Sequence, residues 1–173
     1  VVPRTTAVIA HEAGAVAARW MLEQLENGDE EKRKLLIEWC KLLLERKELI
    51  EPLGISKILV RRASDPSDEV STRVVSCLAK LIEGDLDLGL ECIRILSTRE
   101  DILTRRAMAD VLTRLFRRIT NQAIPLLDKM LEDDDESVIR LRTQLYSLLG
   151  RHSDNEALVK KSKALAEQYL ADT

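Results

Sequence analysis

Two histidines, three cysteines and a run of arginines are the residues of this chain whose types could carry chemistry. His11-Glu12 opens a stretch that could start a zinc-peptidase helix, in which two imidazoles one turn apart hold the metal and the glutamate serves as base. The second imidazole belongs at position 15, which is Ala15. The other histidine, His152, has no cysteine near it in sequence and reads as a surface residue. Cys40, Cys77 and Cys92 form no C-x-x-C pair and fall in apolar stretches, so they read as small core residues in a reducing compartment. No G-x-S-x-G elbow, glycine-rich phosphate loop or Walker lysine is present. The chain therefore reads as non-enzymatic, with no catalytic residue, no metal ligand and no cofactor.

The arginines are the strongest competing signal. Between residues 99 and 118 lie Arg99, Arg105, Arg106, Arg114, Arg117 and Arg118 against Glu100, Asp101 and Asp110. Arginines gathered on one helix face would hold the phosphates of a nucleic acid. At 100° per residue these spread over about 220° of the helix surface. The chain also carries a net charge of −3 and an acidic cluster from Glu132 to Glu136. A solvated mixed-charge face is the preferred reading, with nucleic-acid binding through helix 100–118 as the alternative.

The acids and arginines also recur. Asp68 and Arg73 return as Asp101 and Arg106 after 33 residues, then as Asp135 and Arg140 after 34 more. A period of this size is what stacked helical hairpins leave in sequence, because each hairpin buries its apolar face against the next copy. The elements that must position these residues are helices throughout. Ala-rich residues 6–27 stop at Asn27-Gly28, and Asp29 caps a second long helix that Pro52 forbids from continuing. Further helices are expected over 55–64, 68–83, 86–97 and 100–118, the last opened by Thr98 with Asp101 and carrying Leu103, Ala107, Met108, Val111, Leu112 and Leu115 on its apolar face. Three more follow: one from about Thr120 that tolerates Pro125, one ending at Gly150, and one over 154–171 begun by the Ser153 and Glu156 capping pair. That makes nine helices and no strand. Trp39 and Trp20 are both expected in the core, with Trp20 the candidate interface anchor.

Around the eighth helix, Leu141-Arg142-Thr143-Gln144-Leu145-Tyr146-Ser147-Leu148-Leu149-Gly150 resembles the V-R-x-x-A-A-x-x-L-G run of HEAT repeats, and Ser64-Asp65-Pro66-Ser67-Asp68-Glu69-Val70 looks like that family's inter-helix turn. The period is shorter than the ~40 to 47 residues of HEAT repeats and near the tetratricopeptide length. The tetratricopeptide signature residues are absent. The likeness covers residues 53–150, and Ser64 to Leu81 is also a little like the HEAT-like DNA-alkylation-repair glycosylases, whose aromatic cleft residues find no match here. The resemblance implies an all-α, right-handed αα-superhelix, with 5–52 as an N-terminal hairpin or cap, 53–150 as three repeats and 151–173 as a capping helix. It also implies that Asp68, Asp101 and Asp135, with Arg73, Arg106 and Arg140, are mainly a structural ladder between repeats. Partners would sit on the second helices of the hairpins, where Arg73, Arg106, Arg117, Arg140 and Glu136 are the candidates.

The expected function is a protein-interaction or regulatory scaffold, cut from a larger protein and working inside the cell, with protein partners. A weaker alternative is the helical C-terminal domain of a larger enzyme. No stretch approaches the ~18 apolar residues of a membrane span.

Overall fold

The computed structural model describes residues 14–130 and, beyond them, positions 135, 139, 156, 159, 160, 163, 164 and 167. Among these the chain is all helix with no strand. It divides into two compact units, residues 1–107 and 108–173.

In the first unit, α1 (Gly14–Glu26) ends where Asn27-Gly28 was expected to end it. Asp29 caps α2 (Glu30–Leu43) by accepting the Lys32 N–H at 3.0 Å, and Glu30 and Glu31 complement the helix dipole. The expected continuation to Pro52 does not occur. A turn at Leu44 to Arg46 is followed by a short helix, α3 (Lys47–Leu53). Had α2 run straight on, Lys47 would fall on the buried line through Leu36, Cys40 and Leu43, and Leu53 would fall off it. The turn instead exposes Lys47 and buries Ile50 and Leu53. Pro52 sits inside α3 rather than stopping it, and the stop comes from Gly54, whose φ of 65° is a conformation glycine adopts freely.

From Gly54 the chain enters α4 (Ile55–Ala63), turns at Asp65-Pro66, and enters α5 (Asp68–Val75), capped by Ser67. The helix expected over 68–83 is broken at Ser76-Cys77. There the Ser76 hydroxyl donates to the Arg73 carbonyl at 2.8 Å, and the Ser76 and Cys77 amides bond three residues back instead of four. This tightened turn sets off α6 (Leu78–Gly84). Asp85 caps α7 (Leu86–Leu96) by accepting the Leu88 N–H at 3.1 Å. The last described helix, α8 (Ile102–Met130), joins what the sequence divides near Thr120, and the division survives as a non-helical kink at Ile119. Asp101 opens α8 by accepting the Thr104 N–H at 2.7 Å. Thr98 takes no part in that cap, because its hydroxyl donates to the Ile95 carbonyl that closes α7.

α1 packs on α2 and α4 on α5, α6 packs on α7, and α2 also lies against α5 and α4 against α7, a pattern compatible with helical hairpins. Between them run Leu36, Ile37, Trp39, Cys40, Ile55, Leu59, Val70, Val74, Leu78, Leu81, Cys92, Ile93 and Leu96, all buried. Two expected core residues are not there. Trp20 is 61% exposed and Leu103 is 55% exposed, because the buried face of each helix runs through Ala18 and Leu22 on α1 and through Thr104 on α8.

In the second unit, Met108, Val111, Leu112, Leu115 and Ile119 form the buried stripe of α8, and Arg114 pairs with Asp110 one turn away. The helices expected after residue 132 fall outside the described residues, apart from single helical positions such as 139, 156 and 163.

Candidate functional site

The polar architecture of the first unit centres on Asp65. Its carboxylate is fully buried and receives Arg33 through Nε at 2.9 Å and Nη2 at 3.2 Å, Arg62 Nη1 at 2.8 Å and the Ser67 N–H at 3.0 Å. Its backbone carbonyl accepts Arg99 Nη1 at 2.9 Å and the Ser71 hydroxyl at 3.2 Å. One turn residue thus joins α2, α4, α5 and the segment before α8. Burial pushes this carboxyl up, but the hydrogen bonds and charge of Arg33, the Ser67 amide and Arg62 outweigh it and hold the group below the ordinary carboxylate range. A carboxylate with this many donors is kept ionised although water cannot reach it.

Around this node run further links between helices, each joining residues 31 to 35 apart in sequence. Arg61 makes a bidentate pair with Glu26, at 2.7 and 3.0 Å. Lys34 reaches Glu69 at 3.0 Å while also held by Glu30 and Glu31, and the Glu31 and Glu69 contacts raise its pKa. Thr72 and Thr104 share a hydrogen bond at 2.8 Å. The spans of these links bracket the 33- and 34-residue spacing of the sequence.

The structure brings Asp68 and Asp101 together through Arg99, which bonds Asp68 through Nη2 and Asp101 through Nε at 3.3 Å. Arg73 points elsewhere, to Glu38 at 3.4 Å and Glu69 at 3.2 Å. Arg106 is exposed on α8 and makes polar contacts of its own, as do Arg105 and Arg118. Asp135 is half-buried and its carbonyl accepts the Ile139 N–H at 2.9 Å. Glu136, Arg140 and the Arg117 side chain lie outside the described residues. Sequence reasoning missed Arg33, gave Asp65 only as a turn residue, and gave Arg99 only as one of the arginines between 99 and 118. One usable signal was present, since Arg33 and Arg99 stand two periods apart.

Asp101→Ala follows directly as a test of the cap. Losing the bond to Thr104 N–H and the Arg99 contact is expected to cost about 1 kcal/mol. A urea melt followed by circular dichroism would show it, and an unchanged midpoint would mean that Asp101 holds neither partner in solution.

Cys40, Cys77 and Cys92 are free and buried, and burial pushes the Cys77 and Cys92 thiols up to about 12 and Cys40 well above its ordinary value, so they stay protonated at neutral pH. Among the described residues no group of His, Cys, Asp and Glu could hold a metal, and no helix is long and apolar enough to cross a membrane. His11 and His152 lie outside the described residues.

Clefts open among the described residues of the first unit. One of about 300 Å³ lies between α1, α3 and α4 and is lined by Arg19, Glu23, Pro52, Lys57 and Arg61. A larger one of about 600 Å³ is lined by Lys47, Glu51 and Gly54, by Ser56 and Lys57 at the start of α4, and by Glu83 and Asp85 at the passage from α6 to α7. No family model matches this chain, and neither does any curated protein.

Proposed function

We propose that this chain is a non-enzymatic protein-interaction module, a right-handed superhelix of HEAT-like hairpins that serves as a scaffold within a larger intracellular protein. The observation that supports it best is the set of cross-links between hairpins, 31 to 35 residues apart, centred on buried Asp65. A stack braced in this way presents a fixed surface drawn from several copies, which is how repeat arrays hold extended partners. The free, buried cysteines support the intracellular part of the reading. Of the candidate partner residues, Trp20 has the most support, as a large aromatic left exposed on α1. Arg73 has less, because it is engaged by Glu38 and Glu69.

Selection of displayed peptides on the immobilised chain tests the reading. Amide-shift mapping of the selected peptides is expected to place their footprints on α5, α6 and the start of α8, or over Trp20. Failure to select any ligand, with a labelled DNA duplex binding instead, would reverse it in favour of nucleic acid.

That alternative has weak footing in the arginine-rich stretch. Arg99 is spent on Asp65, Asp68 and Asp101, and Arg114 pairs with Asp110. Fluorescence anisotropy with a duplex is expected to show no appreciable affinity at about 0.15 M salt. Tight binding that falls with salt by about −0.9 in log–log slope per phosphate, and that Arg114→Glu with Arg117→Glu abolishes, would decide for the alternative.

A further inference from the structure

We propose that Ser64 is a phosphate acceptor for an arginine-directed protein kinase, and that its phosphate loosens the tie between α4 and α1. The inference stands apart from the partner-binding reading, so its failure leaves that reading untouched.

The chain reads Arg61-Arg62-Ala63-Ser64 at the end of α4, with arginines three and two residues before the hydroxyl. Kinases of this class hold such arginines on carboxylates, and the spacing supplies their specificity. Similar spacings elsewhere in the chain are set apart by structure. Ser76 and Ser97 each follow an arginine by three residues but have none two residues back, and each hydroxyl donates to that arginine's carbonyl at 2.8 Å. Arg117-Arg118-Ile119-Thr120 repeats the double arginine, but Thr120 lies inside α8, well before its end at Met130. Ser64 stands exposed at a helix end, and its hydroxyl is unengaged among the described residues.

A kinase reaches the motif through the last turn of α4. That turn closes with bonds spanning three residues, from the Ser64 N–H to the Arg61 carbonyl at 3.3 Å and from the Asp65 N–H to the Arg62 carbonyl at 3.0 Å. Helix ends open more readily than helix centres, and the Arg61 side chain is already 53% exposed. In the transfer, Ser64 Oγ bonds to the γ-phosphorus of ATP and the bond from that phosphorus to the β-phosphate oxygen breaks. ADP leaves, and the hydroxyl proton passes to the catalytic base of the kinase.

The phosphate adds a charge of about −1.5 to −2 at a helix C-terminus, where negative charge is unfavourable. The cation that turns to it is Arg61, because Arg62 is held by the buried Asp65 carboxylate at 2.8 Å. Arg61 otherwise holds both carboxylate oxygens of Glu26 on α1, so the phosphate gains it at the expense of that pair. Glu26 is then left with Arg62 Nη2 at 3.7 Å.

Incubation of the folded chain with Mg·ATP and the catalytic subunit of cyclic-AMP-dependent protein kinase, followed by fragment mass spectrometry, tests this. One phosphate is expected, on Ser64, and none in Ser64→Ala, which removes only an exposed, unengaged hydroxyl. Arg61→Gln is expected to slow the transfer about tenfold or more, from loss of a charge-assisted contact with the kinase. Hydrogen exchange reads the consequence: amides of α1 are expected to lose protection about tenfold once Ser64 is phosphorylated. Glu26→Gln should show that loss without phosphate and change little on receiving it, because the pair the phosphate displaces is already gone. Phosphate on Thr120, Ser76 or Ser97 with none on Ser64 would overturn the proposal. So would transfer to Ser64 only after unfolding in urea, or unchanged protection of α1 in the phosphorylated chain.

Discussion

Replacing Asp65 by alanine is expected to lower the stability of the protein by about 3 kcal/mol, against less than about 1 kcal/mol for Asp68→Ala. The two acids stand three residues apart in the same turn, so the contrast isolates burial from sequence context. The Asp65 carboxylate is fully buried and its removal leaves Arg33 with the Gly28 carbonyl alone and Arg62 with Glu26 at 3.7 Å, each guanidinium less than a fifth exposed. The Asp68 carboxylate is 58% exposed, and Arg99 keeps the Asp65 carbonyl and Asp101 when it is lost. Urea unfolding followed by circular dichroism gives both values. A variant of Asp65 as stable as the wild type would remove it from the centre of the network.

The same residue predicts a pH dependence with a definite sign. A carboxyl held below its ordinary value in the folded state adds stability that is complete above the unfolded-state pKa of about 4 and is lost as pH falls through the folded value. The gap between wild type and Asp65→Ala should therefore be widest near neutral pH and shrink below about pH 4. A gap that grew on acidification would contradict the depressed pKa.

Gly89→Ala is the second large effect, and its sign is set by two opposing terms. On an exposed helix the change would gain about 1 kcal/mol of helix propensity. Here a Cβ would lie 2.6 Å from Ile82 Cγ1 and 3.2 Å from Ile82 Cα. A β-branched side chain has little rotamer freedom with which to yield, and the backbone atom yields only if α6 and α7 separate. That separation would open the packing of Leu78, Leu81, Cys92 and Ile93, all buried. A net loss of about 1–3 kcal/mol is expected from overpacking. A gain in midpoint would show that α6 and α7 are not held this close.

Helix starts and stops were the part of this protein most fully legible in its sequence. Asn27-Gly28, Asp29, the Asp65-Pro66 turn and Asp101 each act within three or four residues of the amide or carbonyl they serve, so their meaning is local, whereas the Asp85 cap emerged only in the structure. The sequence period of 33 and 34 residues stands beside links that join residues 31 to 35 apart in the structure. The broken helices were not legible in the sequence. Whether the chain bends at Leu44 or Ser76 depends on which of two faces finds a neighbour, and that neighbour belongs to another hairpin.

The choice of partners was decided by tertiary structure alone. With 27 basic and 30 acidic residues the chain allows many ion pairs of nearly equal worth in water. The spacing of Asp68 and Arg73 suggested a ladder between copies but named no partners, and in the structure Arg73 pairs with Glu38 and Glu69 while Arg99 takes Asp68. Burial is what separates such alternatives: a carboxylate removed from water, as at Asp65, must gather every donor in reach, and which donors are in reach is known only once the hairpins have stacked. Trp20 and Leu103 make the same point in reverse, two apolar side chains left in solvent because the buried stripe of each helix runs one turn face away.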